Sequence, residues 1–512
     1  MERHSSNLPV LVISGASGFI GRYFLDALCK DYFIYALARR PQKSADVSFN
    51  KNISWIRVDI ANKLELENTF KEISNKSGVD FFLHLAAFFD FHNKKDAEYE
   101  RTNVLGTKNI LETISCLNLK RFIFASSLAI FDISDPNRII TEESKPDATF
   151  PYAITKQKAE KLVEKFSTQF PCTNVRFAAI YSDWCEHLPL YFFLSTWLSK
   201  RWDHQILAGK GETAITYLHI NDLIDLFKSI FSKSDSLPQF HKITASPNHC
   251  TSHKQLFQIA NSYNYYYNVK PFCLPKCIAC LGLAFRNFFG YLIKKKYFER
   301  LWMLKYTDCI MNVDASYTHK LLSWKPRKRY TINRRLLFLI WRMKTNPFEW
   351  QRKNKMRFYA ILERQYLKIY ETMAEMRDQI MLKTLDKLYS KEKSHIFINY
   401  QKLSRKKLKH RIEYIYKMLE FDICTGDRSH ILDYAKNLAE ERFLEGFSKY
   451  EVINAIKLTA EIIVNFLVSK KELSQMKQRI YDEIMLTLQM VIDEIEETYE
   501  HLSNNSDLPL VG

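Results

Sequence analysis

Short apolar runs alternate with amphipathic stretches along the first 180 residues, and this alternation predicts strands and helices in turn. Val10-Leu11-Val12-Ile13 is an unbroken apolar run rich in β-branched residues, as a strand buried on both faces requires. Similar runs recur at residues 33–38, 53–58 and 80–85, with helical spacing at 23–30 after the first. The pattern predicts an α/β fold, a doubly wound parallel sheet of Rossmann type with its core in residues 1–180. Beyond the strand that contains Arg176 the chain becomes aromatic and irregular, so residues 181–345 are expected to supply the remaining strands and a smaller substrate lobe.

From about residue 352 to 502 glycine and proline almost vanish, and apolar residues recur at helical spacing with Lys and Glu between them. Tyr359, Leu362, Tyr366 and Ile369 form one such stripe. Residues 346–512 therefore predict an all-helical domain, broken at Gly426 and Gly446, with Ser448-x-x-Glu451 as a capping box.

The first strand runs into Gly15-Ala-Ser-Gly18-Phe-Ile-Gly21 and then into a helix, the setting that makes a glycine pattern a dinucleotide site. Gly15, Ser17, Gly18, Phe19, Ile20 and Gly21 are the candidate phosphate cradle, with the helix N-terminus offering N–H groups and a positive dipole end. Arg39 and Arg40 end the second strand, where selectivity for NAD would call for an acidic side chain. They suit the 2′-phosphate of NADP, with NAD as the alternative cofactor. The plainer alternative is a solvated pair of charges ahead of Pro41. Asp59 and Ile60 close the third strand, placed to border an adenine; Ala86 and Ala87 follow the fourth, small enough to leave a cofactor room.

Tyr152-Ala-Ile-Thr-Lys156 sets a phenol and an ammonium one helical turn apart on one face. A free tyrosine, with a pKa near about 10, is a poor base at neutral pH. A cation beside it favours the phenolate and brings it towards proton transfer with an alcohol or carbonyl.

Together with His84-Leu-Ala-Ala87, Asn103-Val-Leu-Gly-Thr107, Phe122-Ile-Phe-Ala-Ser126-Ser127, Arg176 before Ile180-Tyr181, and His219-Ile-Asn-Asp222-Leu223, these motifs resemble the extended short-chain dehydrogenase/reductase family, with its epimerase/dehydratase and 3β-hydroxysteroid-dehydrogenase-like branches. The resemblance covers roughly residues 8–345. It implies Tyr152 as general acid/base, Lys156 as the group that binds the nicotinamide ribose and holds down the tyrosine pKa, and Ser127, rather than Ser126, as the hydroxyl orienting the substrate oxygen. Asn103 enters on the cofactor side, more as a hydrogen bonder of the central helix than as a chemical participant. Two departures matter. The Arg176 strand continues into Ser182-Asp183-Trp184 where many sugar-nucleotide epimerases have a Tyr-Gly-Pro turn, and Leu128-Ala-Ile-Phe131-Asp132 replaces a familiar Val-Tyr-Gly ending. Both weaken a sugar-nucleotide assignment. Residues 432–467 resemble the helical, globin-like sensor domain without haem of bacterial stressosome proteins, which implies a regulatory or dimerising module.

Composition adds further constraints. Met1 to Pro9 is polar, with no secretory signal visible, and the ten cysteines form no even framework; both fit a reducing cytoplasm. Cys277-x-x-Cys280, beside Cys273, has no matching ligand pair at zinc spacing and reads as buried thiols on an apolar helix, so no metal site is expected. His410 and His430 read as surface residues rather than haem ligands. The net charge of +18 is concentrated: residues 286–357 hold 19 Lys or Arg against 4 Asp or Glu, interleaved with large apolar side chains. That suits a peripheral contact with an anionic membrane, an acidic partner, or a solvated helical face; nucleic acid is disfavoured because no reading module accompanies the charge. The apolar segment 277–293 contains Arg286 and Asn287 and is too short to span a bilayer, but would serve as a peripheral contact or a lid over a hydrophobic small-molecule substrate. The expectation is an NAD(P)-dependent oxidoreductase or epimerase, cytoplasmic or peripheral at a membrane and homodimeric. The rival is a non-catalytic NAD(P)-sensing regulator.

Overall fold

A computed structural model of the chain describes residues 8–90, 96–265, 269–292, 298–362 and 364–506. The side chains of 357–368, which include Tyr359, Leu362 and Tyr366 of the expected stripe, lie outside the described residues. The chain forms two compact units, Met1–Trp350 and Gln351–Gly512.

In the first unit, seven strands make one parallel sheet: β1 (Val10–Ser14), β2 (Phe33–Ala38), β3 (Ile53–Arg57), β4 (Phe81–His84), β5 (Arg121–Ser127), β6 (Cys172–Phe177) and β7 (Phe240–Ala245). Their spatial order is β7-β6-β5-β4-β1-β2-β3. Every pairing is parallel, with Val12 opposite both Tyr35 of β2 and Phe82 of β4. The order reverses between β1 and β4. A crevice opens there beyond the carboxyl ends of the strands, because the connections on either side leave to opposite faces. The strands are near-continuous apolar runs because helices cover both faces.

On one face lie α1 (Phe19–Leu28) and α6 (Ile220–Ser232), whose Phe24 and Phe227 rings meet edge to face at 4.8 Å. On the other lie α2 (Lys63–Lys76), α3 (Gly106–Ile114) and α4 (Pro151–Phe166), which add Leu66, Phe70, Ile110, Ala159 and Val163 to a second core. The remaining lobe contains α5 (Leu188–Trp197), α7 (His253–Tyr265) and α8 (Lys276–Leu292).

Helix α4 decides where the chemistry sits. Pro151 occupies its first turn, where a missing N–H costs nothing, and Phe150 is extended just before it. One turn past Lys156, Glu160 receives a bidentate bond from Arg176 of β6, Nε at 3.1 Å and Nη2 at 3.0 Å. Both side chains are buried, and Arg176 also donates to the Glu142 carbonyl at 2.8 Å. The pair fixes α4 against the sheet.

The second unit is helical, as the sequence pattern predicts. Gly426 and Gly446 adopt φ of +68° and +78°, the left-handed conformation that ends a helix. Ser448 caps helix Lys449–Val468 by accepting from the Glu451 N–H at 3.2 Å. Only half of the expected capping box forms. The Glu451 carboxylate accepts instead from the backbone N–H groups of Asn399 and Tyr400, at 2.7 and 3.1 Å. His410 is exposed, and His430 is half-buried with its ring edge against Phe421.

Truncating one partner of the Arg176–Glu160 pair leaves a buried charge without its counterion. Glu160→Ala is expected to destabilise the first unit by about 3 kcal/mol, and Glu160→Gln, which keeps an acceptor, by less. Urea unfolding followed by tryptophan fluorescence measures both.

Candidate active site

The glycine loop is shaped by contacts that no side chain survives. Gly15 has φ +74°, and a Cβ there would stand 2.6 Å from the backbone nitrogen of Ala86. A Cβ at Gly21 would stand 2.5 Å from the Gly15 carbonyl oxygen, so glycine is what lets α1 approach the loop. At Gly18 a Cβ would meet only the Gly15 oxygen, at 3.1 Å, and would otherwise occupy the open space in front of the helix. No side chain caps the start of α1. The donors of its first turn are thus left to a ligand, and the loop fits the pyrophosphate of a dinucleotide. Phe19 is buried with its edge on Tyr23, and Ile20 packs against the core, so both serve this cradle through the backbone.

At the carboxyl ends of β2 and β3 lies a network of charges. Arg40 donates from Nη2 to the Ser17 carbonyl at 2.7 Å, lying back on the glycine loop. Arg39 pairs with Glu98 at 2.9 Å, and Arg101 joins Glu98 and Asp59. Burial opposes ionisation of Asp59, but the bonds from Arg101 and the Ala61 N–H outweigh it and hold the carboxyl below the usual carboxylate range. Ile60 does not border open space. It packs in the core beneath Gly106, leaving Asp59 as the accessible group at this strand end. After β4, Ala86 is half-buried and Ala87 exposed, and His84 is locked between Ser14 and Thr107 at 2.6 and 3.0 Å. Burial lowers the His84 pKa to about 3, so its imidazole is neutral.

Asn103 lies in a π-helical turn, Tyr99–Leu105, and bonds both backbone groups of Phe88. It also donates to the Thr155 hydroxyl at 3.0 Å, and Thr155 donates to the Tyr152 carbonyl at 2.9 Å. Asn103 therefore joins the loop after β4 to the first turn of α4, a positioning role.

Tyr152, Ser127 and Lys156 come together at the carboxyl ends of β4 and β5. Ser127 Oγ accepts from the Ala129 N–H at 3.1 Å, and its hydroxyl is a hydrogen-bonding neighbour of the Tyr152 phenol. Ser126 is buried, and its Oγ has no hydrogen-bond partner among the described residues. Lys156 is buried, donates to the Ala125 carbonyl at 2.7 Å, and lies 4.6 Å from the centre of the Phe124 ring.

Two expectations change. Lys156 stands 6.0 Å from the Tyr152 ring centre with its ammonium turned to β5, and the tyrosine pKa is raised, not lowered. Burial is the main cause, with the nearby Tyr99 adding to it. Burial also brings Lys156 down to about 7, against a smaller opposing pull from Glu160, so its charge is only partial near neutrality. The second change concerns the thiols. Cys277 and Cys280 are exposed rather than buried, because the apolar helix that carries them is not covered, and Cys273, in the strand Phe272–Leu274 before it, is exposed too.

The sequence reading missed the aromatic wall around the phenol. Phe89 meets Tyr152 edge to face at 4.9 Å, Phe150 stacks on it at 6.5 Å, and Trp302 stacks on Phe150 at 6.2 Å. Phe150 was the most accessible of these, as the residue just ahead of a helix-starting proline.

Residues 11–245 match the model of the NAD dependent epimerase/dehydratase family. Over this segment the chain is similar to that family. The chain is 26% identical over 249 residues to dTDP-D-glucose 4,6-dehydratase of Dictyostelium discoideum, a match spanning 44% of this chain and 56% of that protein. It is 22% identical over 242 residues to protein CapI of Staphylococcus aureus, over 44% of this chain and 70% of the relative. Among solved structures, UDP-glucose 4-epimerase of Thermotoga maritima superposes with a TM-score of 0.50 at 19% identity, covering 66% of this chain and 99% of that one. A dTDP-glucose 4,6-dehydratase of Bacillus anthracis, solved in complex with NAD, gives 0.50 at 16% identity, covering 66% and 98%. These likenesses extend the shared epimerase/dehydratase fold past residue 245.

The buried Lys156 makes stability depend on pH. An unfolded lysine titrates near about 10.4, whereas the folded one titrates near 7. The unfolded chain binds the extra proton between these values, so stability is lowest below pH 7 and rises towards pH ~10.4. Urea titrations of the cofactor-free protein across this range are expected to show the rise, and Lys156→Met to abolish it.

Proposed function

We propose that the first unit is an NAD(P)-dependent oxidoreductase or epimerase acting on an alcohol carbon or its ketone, with Tyr152 as the acid/base. The meeting of Ser127, Tyr152 and Lys156 beside the switch-point crevice carries this reading. The nicotinamide cofactor, when bound, supplies or accepts the hydride. Gly15, Gly18 and Gly21 would hold its pyrophosphate, and Asp59 and Ala86 would border it. A phenol with a raised pKa is fully protonated at neutral pH, ready to give its proton to a carbonyl oxygen, with Ser127 orienting that oxygen. In the oxidising direction Tyr152 must take a proton, which asks for a charged Lys156 to stabilise the phenolate.

The dehydratase relatives are named for sugar nucleotides. Phe89, Phe150 and Trp302 favour a substrate with a flat or apolar surface next to its reacting carbon. We further propose NADP over NAD, since two guanidinium groups stand at the end of β2; Glu98, which pairs with Arg39, is the group a 2′-phosphate has to displace. For the second unit the sequence likeness to a non-haem sensor domain supports a regulatory or dimerising role, and ten free cysteines suit a cytoplasmic setting.

Tyr152→Phe is expected to cut turnover by at least about a hundredfold while NADPH affinity is retained. The assay follows nicotinamide absorbance over a panel of UDP-glucose, dTDP-glucose and apolar secondary alcohols. Unchanged turnover in the variant sinks the assignment. Calorimetric titration is expected to give NADPH binding at least roughly tenfold tighter than NADH, a preference lost in Arg39→Ala/Arg40→Ala. Equal or reversed affinities in the parent protein overturn the arginine argument.

A further inference from the structure

Helix α8 carries an exposed apolar stripe. Ile278, Leu281, Phe285 and Phe288 recur at three- and four-residue intervals, forming a single stripe along the helix. They are 50%, 73%, 66% and 60% exposed. A soluble domain ordinarily turns such a stripe inward, and an outward stripe of this size marks a surface that something else covers.

The charge around it says what kind of surface covers it. Between residues 236 and 298 there is no Asp or Glu, while eight Lys or Arg occur, among them Lys270, Lys276 and the run Lys294-Lys295-Lys296 that follows α8. The first acid after the helix, Glu299, is bound to Arg286 at 2.6 Å. Arg286 also lies 3.9 Å from Asp203, next to Trp202, which is 83% exposed. An apolar stripe, cationic flanks and an exposed indole together complement the headgroup zone of a bilayer, where apolar groups sink to the acyl boundary and Lys and Arg face the phosphates. At 17 residues with an arginine inside it, α8 is too short and too polar to cross. Among the described residues no single helix is long and apolar enough to do so.

We propose that α8 seats the first unit on an anionic lipid surface, lying in the plane of the interface. The apolar part of the contact is α8, within the residues 286–357 expected from charge and just ahead of them; in helix Ile332–Thr345 Leu336, Leu339 and Ile340 are buried, while Leu337, Phe338 and Trp341 are exposed. This docking stands independently of the Tyr152 chemistry. It does bear on that chemistry, since α8 packs on the turn Leu301–Tyr306 that supplies Trp302 to the wall of the phenol.

The test is flotation of the full chain with vesicles of phosphatidylcholine alone or mixed with phosphatidylserine. The parent protein is expected to float with the mixed vesicles and to partition at least about tenfold less onto phosphatidylcholine alone, with binding lost at high salt. Leu281→Asp/Phe285→Asp, at exposed positions, is expected to reduce partitioning onto mixed vesicles by at least about tenfold with unchanged circular dichroism and thermal midpoint. Equal flotation of parent and variant overturns the proposal, as does failure of the parent to float. A parent dimer that the variant splits into monomers, with no vesicle binding by either, also overturns it and assigns the stripe to a second copy of the chain.

Discussion

Two buried cations seat one helix, and the candidate site rests on that seating. Arg176 grips Glu160 from β6, and Lys156 reaches the Ala125 carbonyl on β5, so α4 is tied to adjacent strands at successive turns. The glycine loop faces the same crevice from β1, on the other side of β4, because the sheet order places these strands side by side. Ser127 at the end of β5 and Asn103 in the π-turn then need only short side chains to reach their partners.

The electrostatics of the site follow from its dryness. Burial disfavours charge on both the phenol and the ammonium, raising the pKa of Tyr152 and lowering that of Lys156, so the two values move apart. Above pH 7 the pair is therefore in its neutral form, with the proton on the tyrosine. The outer end of the crevice is arranged differently. Arg39, Arg101, Glu98 and Asp59 form a half-exposed network in which charge is retained, as suits binding of a polar adenosine rather than proton transfer.

Elements set by nearest neighbours in the chain were legible from sequence. Strand β1, the glycine turn and α1 are specified within about twenty residues, and Gly426 and Gly446 sit at helix ends because a left-handed residue is needed there. What was not legible depends on partners far along the chain. Nothing around Lys156 indicates that its ammonium will point to Ala125, and nothing near Glu451 indicates that it will leave its capping box for Asn399 and Tyr400. The exposure of Cys277 and Cys280 misleads for a related reason: an apolar helix is ordinarily covered, and periodicity cannot tell a core stripe from an outward one.

Because α4 begins at Pro151, Tyr152 stands at the second position of the helix, and a side chain there leans back past the first turn. The residue consequently starts at the positive pole of the helix macrodipole, where unpaired peptide N–H groups favour nearby negative charge. Unlike the Lys156 ammonium, which loses its proton near pH 7, this partial charge belongs to the backbone and does not titrate. The helix start thus biases its surroundings towards negative charge at every pH.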